Sequence, residues 1–473
     1  MRRLLLTVVL MLVAVLAWTN AGAADTGIST AAVPTATCGP DDRPETGIQG
    51  RVPAADYTSG RYLEGYTCNT EAVAHEGSSG GFKALRYTDS AGNTCAYYDS
   101  TALFPPTSTI TNLLGGKGIG TVVLDMNDPA HPVRTTTLTS LAMLSPHESL
   151  LVNQPRGLLI GVLGTAATAP GALDVYDVKT DCRHPKLLST SLAGILGHES
   201  GFAPDGRTLY VSSTIFTLVA VNLDDPRHPK PMTIQTNVQY HGMRVSDDGN
   251  TLYAAHIGQP GPQFISGGGL RILDVSQVQA RMPNPKISIL ATMTWDGVSI
   301  PQVPEPFTRD GHRYLFEVDE FTDLFTLSDL LDLRHAPVGA ARFINVDDPR
   351  QPVLVSNVRL AVHEPANRAG EEWNDPGGNN PLGGYAAHYC SVDTRDNPKL
   401  AGCSMILSGL RIFDISDVEH PREVAYFNMP TSKGSAAFSQ PAWDRANDSI
   451  WYTDSSTGFW NVRLTNGVQA LLD

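Results

Sequence analysis

The chain has 473 residues, a formal net charge of −14 and 17% charged residues. That balance excludes a general nucleic-acid binder, which needs a basic stripe. The apolar content is enough for a core, and 43 glycines and 33 prolines imply many turns, as in an all-β chain.

The first element is MRRLLLTVVLMLVAVLAWTNAGA: two arginines, an apolar run, then the small residues Ala21, Gly22 and Ala23. This has the form of a secretory signal peptide over residues 1–23, and its apolar run is short for a membrane anchor. No cysteine follows the small residues, which argues against a lipoprotein. The expectation is a secreted, extracellular or cell-envelope protein with no stable membrane span after signal cleavage.

Residues 24–79 follow, rich in glycine, tyrosine and charge, with no strong period of 3.6 or 2. They read as an extended arm packed across the next domain and pinned by cysteines. The six cysteines of an exported chain read as disulfides, and none forms a C-x-x-C motif. Cys390 and Cys403 flank the turn SVDTRDNPKLAG and suit a cross-strand bridge. For the rest we expect Cys68 with Cys95 and Cys38 with Cys182, two of the pairings that six cysteines leave open.

From residue 80 to residue 473 the chain repeats itself. TVVLDMNDPAHPV, ALDVYDVKTDCRHPK, LVAVNLDDPRHPK, LRILDVSQVQARMPNPK, ARFINVDDPRQPV and LRIFDISDVEHPR occur in that order. Each is an alternating apolar strand, an Asp or Asn, and a turn closed by proline. A further apolar strand follows each turn, and strand–turn–strand segments such as TLYVSS and TLYAAH fill the intervals. Four strands per unit of roughly 45–70 residues make a propeller blade. Seven such units predict an all-β, seven-bladed β-propeller of four-stranded antiparallel blades. Blade seven, SQPAWDRANDSIWYTDSSTGFWNVRL, lacks an obvious fourth strand, which the segment before blade one would supply. Two insertions stand out, at about 320–340 and 363–385. The first carries Phe321, Leu324, Phe325 and Leu331 on one side of a short predicted helix. The second holds His363, Glu364, Glu371, Glu372 and Trp373, placed to overhang one face.

LRILDVS, LRIFDIS and VAVNLDDP resemble the LVIVD repeat of extracellular bacterial β-propellers, over roughly Gly80 to Leu464. There is a more distant similarity, in architecture and repeated histidine, to the selenium-binding protein and methanethiol oxidase propellers. The resemblance implies the fold and not the chemistry, since propellers serve many functions.

Chemistry is expected where first strands line the axis. His147, His198, His241 and His388 fall at one place in the repeats of blades two, three, four and six, and blade five puts Glu305 there. Several imidazoles at one height, with a carboxylate, suit a transition metal ion: iron, copper, manganese or zinc. Glu148 and Glu199 follow their histidines directly and are placed to accept the second ring N–H of a neighbouring histidine. Tyr240, beside His241, is a further candidate to meet a ligand. The bland alternative is that each histidine bonds the next blade and sets blade spacing. His131, His184, His228 and His420, each before a proline, read as rim turn residues. Ser149 and Ser200 offer a hydrolase nucleophile only weakly. Two functions follow: a metal-dependent enzyme on a small organic substrate, by oxidation, hydrolysis or Lewis-acid-promoted elimination or cyclisation, or a monomeric cell-surface binding propeller with structural histidines. A calcium-stabilised lactonase-like site is less well served, because the matched axial positions are mainly histidine.

Overall fold

Alternation of apolar residues gives each strand two faces, and the second and third strands of the blades bury both, one against each neighbouring blade. The computed structural model describes residues 29, 31–100, 119–163, 171–213, 217–258, 268–295, 300–320, 338–368, 375, 384–431 and 436–473. Within these, seven antiparallel sheets follow one another along the chain. Seven apolar clusters lie one between each pair of consecutive blades, including blades seven and one. The core is therefore a ring of interfaces, as expected for a seven-bladed β-propeller.

The proline turns do the same work in each repeat. The Asp or Asn ending the third strand accepts the backbone N–H two residues on: Asp125, Asp177, Asn222, Asp274, Asn345 and Asp414 all do so. This is the Asx turn the sequence implies. His131, His184, His228 and His420 place Nδ1 2.7–3.0 Å from the Asp three residues earlier, so they are exposed rim turn residues. In all seven blades the fourth strand meets the third with a register shift, which adds local twist.

The ring closes through the N-terminal segment. Thr70–Glu76 is the outermost strand of blade seven, paired with Gly458–Leu464. Tyr66–Cys68 adds a fifth strand to blade six. The segment expected to be a plain extended arm thus contributes two strands and a short helix, Ala54–Ser59. Gly50 shows how closely it packs: at φ 89° its Cα approaches blades five and six so tightly that a Cβ would lie 2.8 Å from Leu360 and Val362 side-chain atoms.

Two disulfide expectations are corrected. Cys38 pairs with Cys68, and Cys95 with Cys182; Cys390–Cys403 is as expected. Cys68 sits on the added strand at the edge of blade six, whereas Cys95 lies on the second strand of blade one, so those two cannot meet. Cys95–Cys182 instead ties blade one to the turn of blade two. Three disulfides fit an oxidising environment. Among the described residues no helix is long and apolar enough to cross a membrane. Residues 1–23, the predicted helix in the first insertion, and Glu371, Glu372 and Trp373 lie outside the described residues.

The arm is anchored by buried charge. Arg411 is fully buried and pairs with Glu45 of the arm and, at 3.0 Å, with Glu423 of blade six. Burial pushes the Glu45 carboxyl up in pKa, against the pull of Arg411. Arg411→Ala leaves two carboxylates facing each other without a cation. Urea unfolding should show a loss of about 3–5 kcal/mol; a loss below about 1 kcal/mol would mean the arm is held by other contacts.

Candidate metal centre at the propeller axis

Serine builds the inner wall before histidine does. In the repeated His-Glu-Ser, Ser149 Oγ donates to the His198 carbonyl at 2.9 Å and lies 2.8 Å from Ser200 Oγ. Ser212 Oγ contacts the His241 carbonyl in the same way, and Ser404 Oγ donates to the Ser439 carbonyl at 2.6 Å. These hydroxyls join neighbouring blades, a structural role for Ser149 and Ser200. The loop before His147 is fixed by Asp174, which accepts from Ser140 Oγ at 2.5 Å and the Ala142 N–H at 2.7 Å.

The histidines enter from this wall. His147 opens a single 3-10 turn, His147–Ser149, with φ 51°, a left-handed conformation that costs a non-glycine residue about 1–3 kcal/mol. His198 and His388 stand just before the first strands of blades three and six, and His241 lies within that of blade four. All four are buried. His241 Nδ1 meets the Pro301 carbonyl at 3.1 Å, and His388 Nδ1 meets the Phe438 carbonyl. Those contacts reach the next blade and turn Nε2 toward the axis.

Glu148 sits among the imidazoles. Its Oε2 lies 2.9 Å from His198 Nε2 and 3.0 Å from His241 Nε2, and the two Nε2 atoms are 3.1 Å apart. Glu148 therefore faces the inward nitrogens, not the second ring N–H expected of it. Oε1 lies 3.5 Å from His388 Nε2 and accepts from Gln302 Nε2 at 2.8 Å. A ring nitrogen of His147 comes within 4.8 Å of both Glu148 and His198. Its buried Nδ1 has no hydrogen-bond partner among the described residues. Phe82 packs edge-on against the His147 ring, with centroids 4.1 Å apart.

Other expected residues stand elsewhere. Glu305 lies one layer along the axis, where its Oε2 pairs with Arg244 Nε at 2.9 Å. Glu199 spans the two layers: one oxygen is 3.1 Å from the Lys83 ammonium and 3.6 Å from Arg244, and the carboxylate also reaches within 4.8 Å of Glu148 and His241, beside the neighbouring blade's histidine as expected. Gln440 links the two, accepting from Lys83 at 3.4 Å and from Arg244 at 2.8 Å. Tyr240 points out of the channel into the apolar interface of blades three and four, as the residue next to an inward His241 must. His363 is buried in a structural role, accepting the Leu360 N–H at 3.1 Å.

Glu320 takes the place expected of Glu305. It ends the second strand of blade five, His312–Glu320, with Oε2 3.1 Å from His388 Nε2 and Oε1 3.5 Å from His241 Nδ1. Sequence reasoning missed it by searching only first strands. It missed Lys83 and Gln440 because the first strands of blades one and seven carry no histidine.

The electrostatics divide the histidines. Burial holds the His147 imidazole down to about 3, against the pull of Glu148. His241 is also opposed by burial, but Glu148 and Glu320 outweigh it and raise it to about 9. The same two carboxylates raise His388 to about 9 against burial. In turn His241 and His198 hold Glu148 well below the carboxylate range despite its burial. Burial lowers Lys83 to about 8, opposed by Glu199.

No family model matches the chain, and no curated protein does. Solved structures do. The β-propeller domain of Swd1 from Myceliophteria thermophila aligns at 11% identity and a TM-score of 0.51, over 84% of this chain and 100% of that one. The periplasmic gluconolactonase of Pseudomonas aeruginosa aligns at 12% identity and a TM-score of 0.47, over 74% of this chain and 95% of that one. Raptor from Chaetomium thermophilum aligns at 11% and 0.49, over 88% of this chain and 30% of that one. At such identities the likeness is one of fold.

The raised histidines give a signed prediction for chelator-treated protein. Ordinary histidine titrates near 6.5, and His241 and His388 titrate near 9 when folded. Their contribution to stability is complete below pH 6.5 and lost as pH rises through 9. Unfolding free energy should fall over that window, and Glu148→Gln should flatten the fall. An equal slope in both proteins would contradict the assignment.

Proposed function

We propose that the axial histidines and Glu148 hold a transition metal ion, and that the protein is an exported metal-dependent enzyme acting on a small organic substrate. One observation carries this reading: His198 Nε2, His241 Nε2 and Glu148 Oε2 form a nearly equilateral triangle with edges of 2.9–3.1 Å. Donors at ~2.1 Å from one ion and at right angles to each other stand ~3.0 Å apart, whereas a tetrahedral pair stands ~3.4 Å apart. The triangle fits one face of an octahedron. Two histidines and a carboxylate on one face, with positions left open, is the donor set of non-haem iron(II) oxygenases, which favours iron or manganese over zinc and copper.

Such an ion supplies Lewis acidity or oxygen activation for an oxidation, a hydrolysis or an elimination. The protein's part is to orient and enclose. The backbone contacts of His241 and His388 fix which ring nitrogen faces the axis, the usual support for a metal-binding imidazole. His147 and His198 are 6% and 7% exposed against 1–3% for His241, His388, Glu148 and Glu320, so access is from blades two and three. Leu144 and Ile195, each three residues before one of these histidines, are exposed apolar side chains. They favour an organic substrate with apolar surface. Export is supported by the signal-like N-terminus, the three disulfides and the resemblance to LVIVD propellers.

The binding-propeller alternative draws on the same contacts of His241 and His388 with the next blade, which would suffice as spacers. Elemental analysis separates the two. Protein expressed in metal-replete medium should carry at least one equivalent of metal, and His198→Ala and His241→Ala should lose it while keeping their circular dichroism. Less than about a tenth of an equivalent in the unsubstituted protein would sink the enzyme reading.

A further inference from the structure

Glu148 has two oxygens, and they face different sets of donors. Oε2 completes the triangle with His198 and His241. Oε1 looks the other way, toward His388 Nε2 at 3.5 Å. His388 Nε2 is itself 3.1 Å from Glu320 Oε2. One oxygen or nitrogen from each of Glu148, Glu320 and His388 falls within 4.8 Å of the others, and all three residues are buried. Glu320 reaches both sets, because its other oxygen stands 3.5 Å from His241 Nδ1, behind the first triangle.

A carboxylate that offers one oxygen to each of two donor sets is arranged as a bridge. We infer that the axis has a second cation subsite, formed by His388, Glu320 and Glu148 Oε1, so that Glu148 bridges two divalent ions. This rests on the metal centre proposed above and adds a second ion to it.

Charge then narrows the ligand. Glu305 pairs with Arg244, and Glu199 pairs with Lys83 while also reaching within 4.8 Å of Glu148 and His241. Two divalent ions bring a charge of +4, and the three carboxylates clustered with the axial histidines, Glu148, Glu320 and Glu199, supply −3. The buried excess favours an anion between the ions. Hydroxide, or an anionic oxygen of the substrate, fills that place, as in two-metal sites whose ions lie ~3.5–4 Å apart.

The test uses chelator-stripped full-length protein reloaded with Mn(II) and desalted. Metal content and the electron paramagnetic resonance spectrum are then measured. The expected result is two equivalents with the broadened spectrum of a coupled pair in the unsubstituted protein. Glu320→Gln should hold one equivalent and give the six-line spectrum of an isolated ion. One equivalent in both proteins overturns the second subsite and leaves the single-ion centre standing. No bound Mn(II) in either overturns both. Two uncoupled equivalents that persist in Glu320→Gln also overturn it, and would point to the rim histidines. Should Glu320→Gln fail to fold, the stoichiometry and coupling of the unsubstituted protein decide the question alone.

Discussion

Seven sheets around one axis must bring their first strands together, and the polar groups they carry inward lose water. A buried charge is tolerated only when other groups compensate it. Because each blade is a separate segment, the compensating group usually comes from another blade. The lower layer is a worked case: Lys83 of blade one, Glu199 of blade three, Arg244 of blade four, Glu305 of blade five and Gln440 of blade seven pair with one another. Lys83 also lies over the Tyr389 ring of blade six, at 3.6 Å. The upper layer has the same need and a different composition, with four imidazoles, the carboxylates of Glu148 and Glu320, and the reach of Glu199. In the absence of metal, protons on His241 and His388 supply the missing positive charge.

Blade spacing and ligand orientation are one arrangement here. The contact that would make His241 a mere spacer, from Nδ1 to the Pro301 carbonyl, is also the one that presents Nε2 to the axis. His388 repeats it with Phe438. Meanwhile the hydroxyls of Ser149, Ser212 and Ser404 join neighbouring blades by themselves. The wall therefore holds its shape without demanding histidine. What histidine adds is an inward nitrogen, and the left-handed backbone at His147 places one where regular strand would not.

The fold was legible because its signal is redundant: six copies of an alternating strand, an Asx turn and a proline report the same unit. Ring closure by the segment before blade one was legible too, since blade seven came up one strand short. Disulfide pairing was not, because it depends on which blades are neighbours and on where the arm crosses them. The four histidines could be aligned by counting back from their turns. Glu305 did not match that count: it stands six residues before Gly311, whereas His198 and His241 stand eight before Gly206 and Gly249. In blade five Gln302 is the residue beside Glu148, and Glu305 reaches Arg244 instead. Glu320 could not be found by counting first strands, since it arrives at the axis from the end of a second strand.

The most direct measurement is an anomalous difference map from crystals of the protein loaded with manganese or iron. The account predicts density on the axis within about 2.1–2.2 Å of His198 Nε2, His241 Nε2 and a Glu148 oxygen. Crystals that show no anomalous density there, or show it only beside the rim histidines, would contradict it.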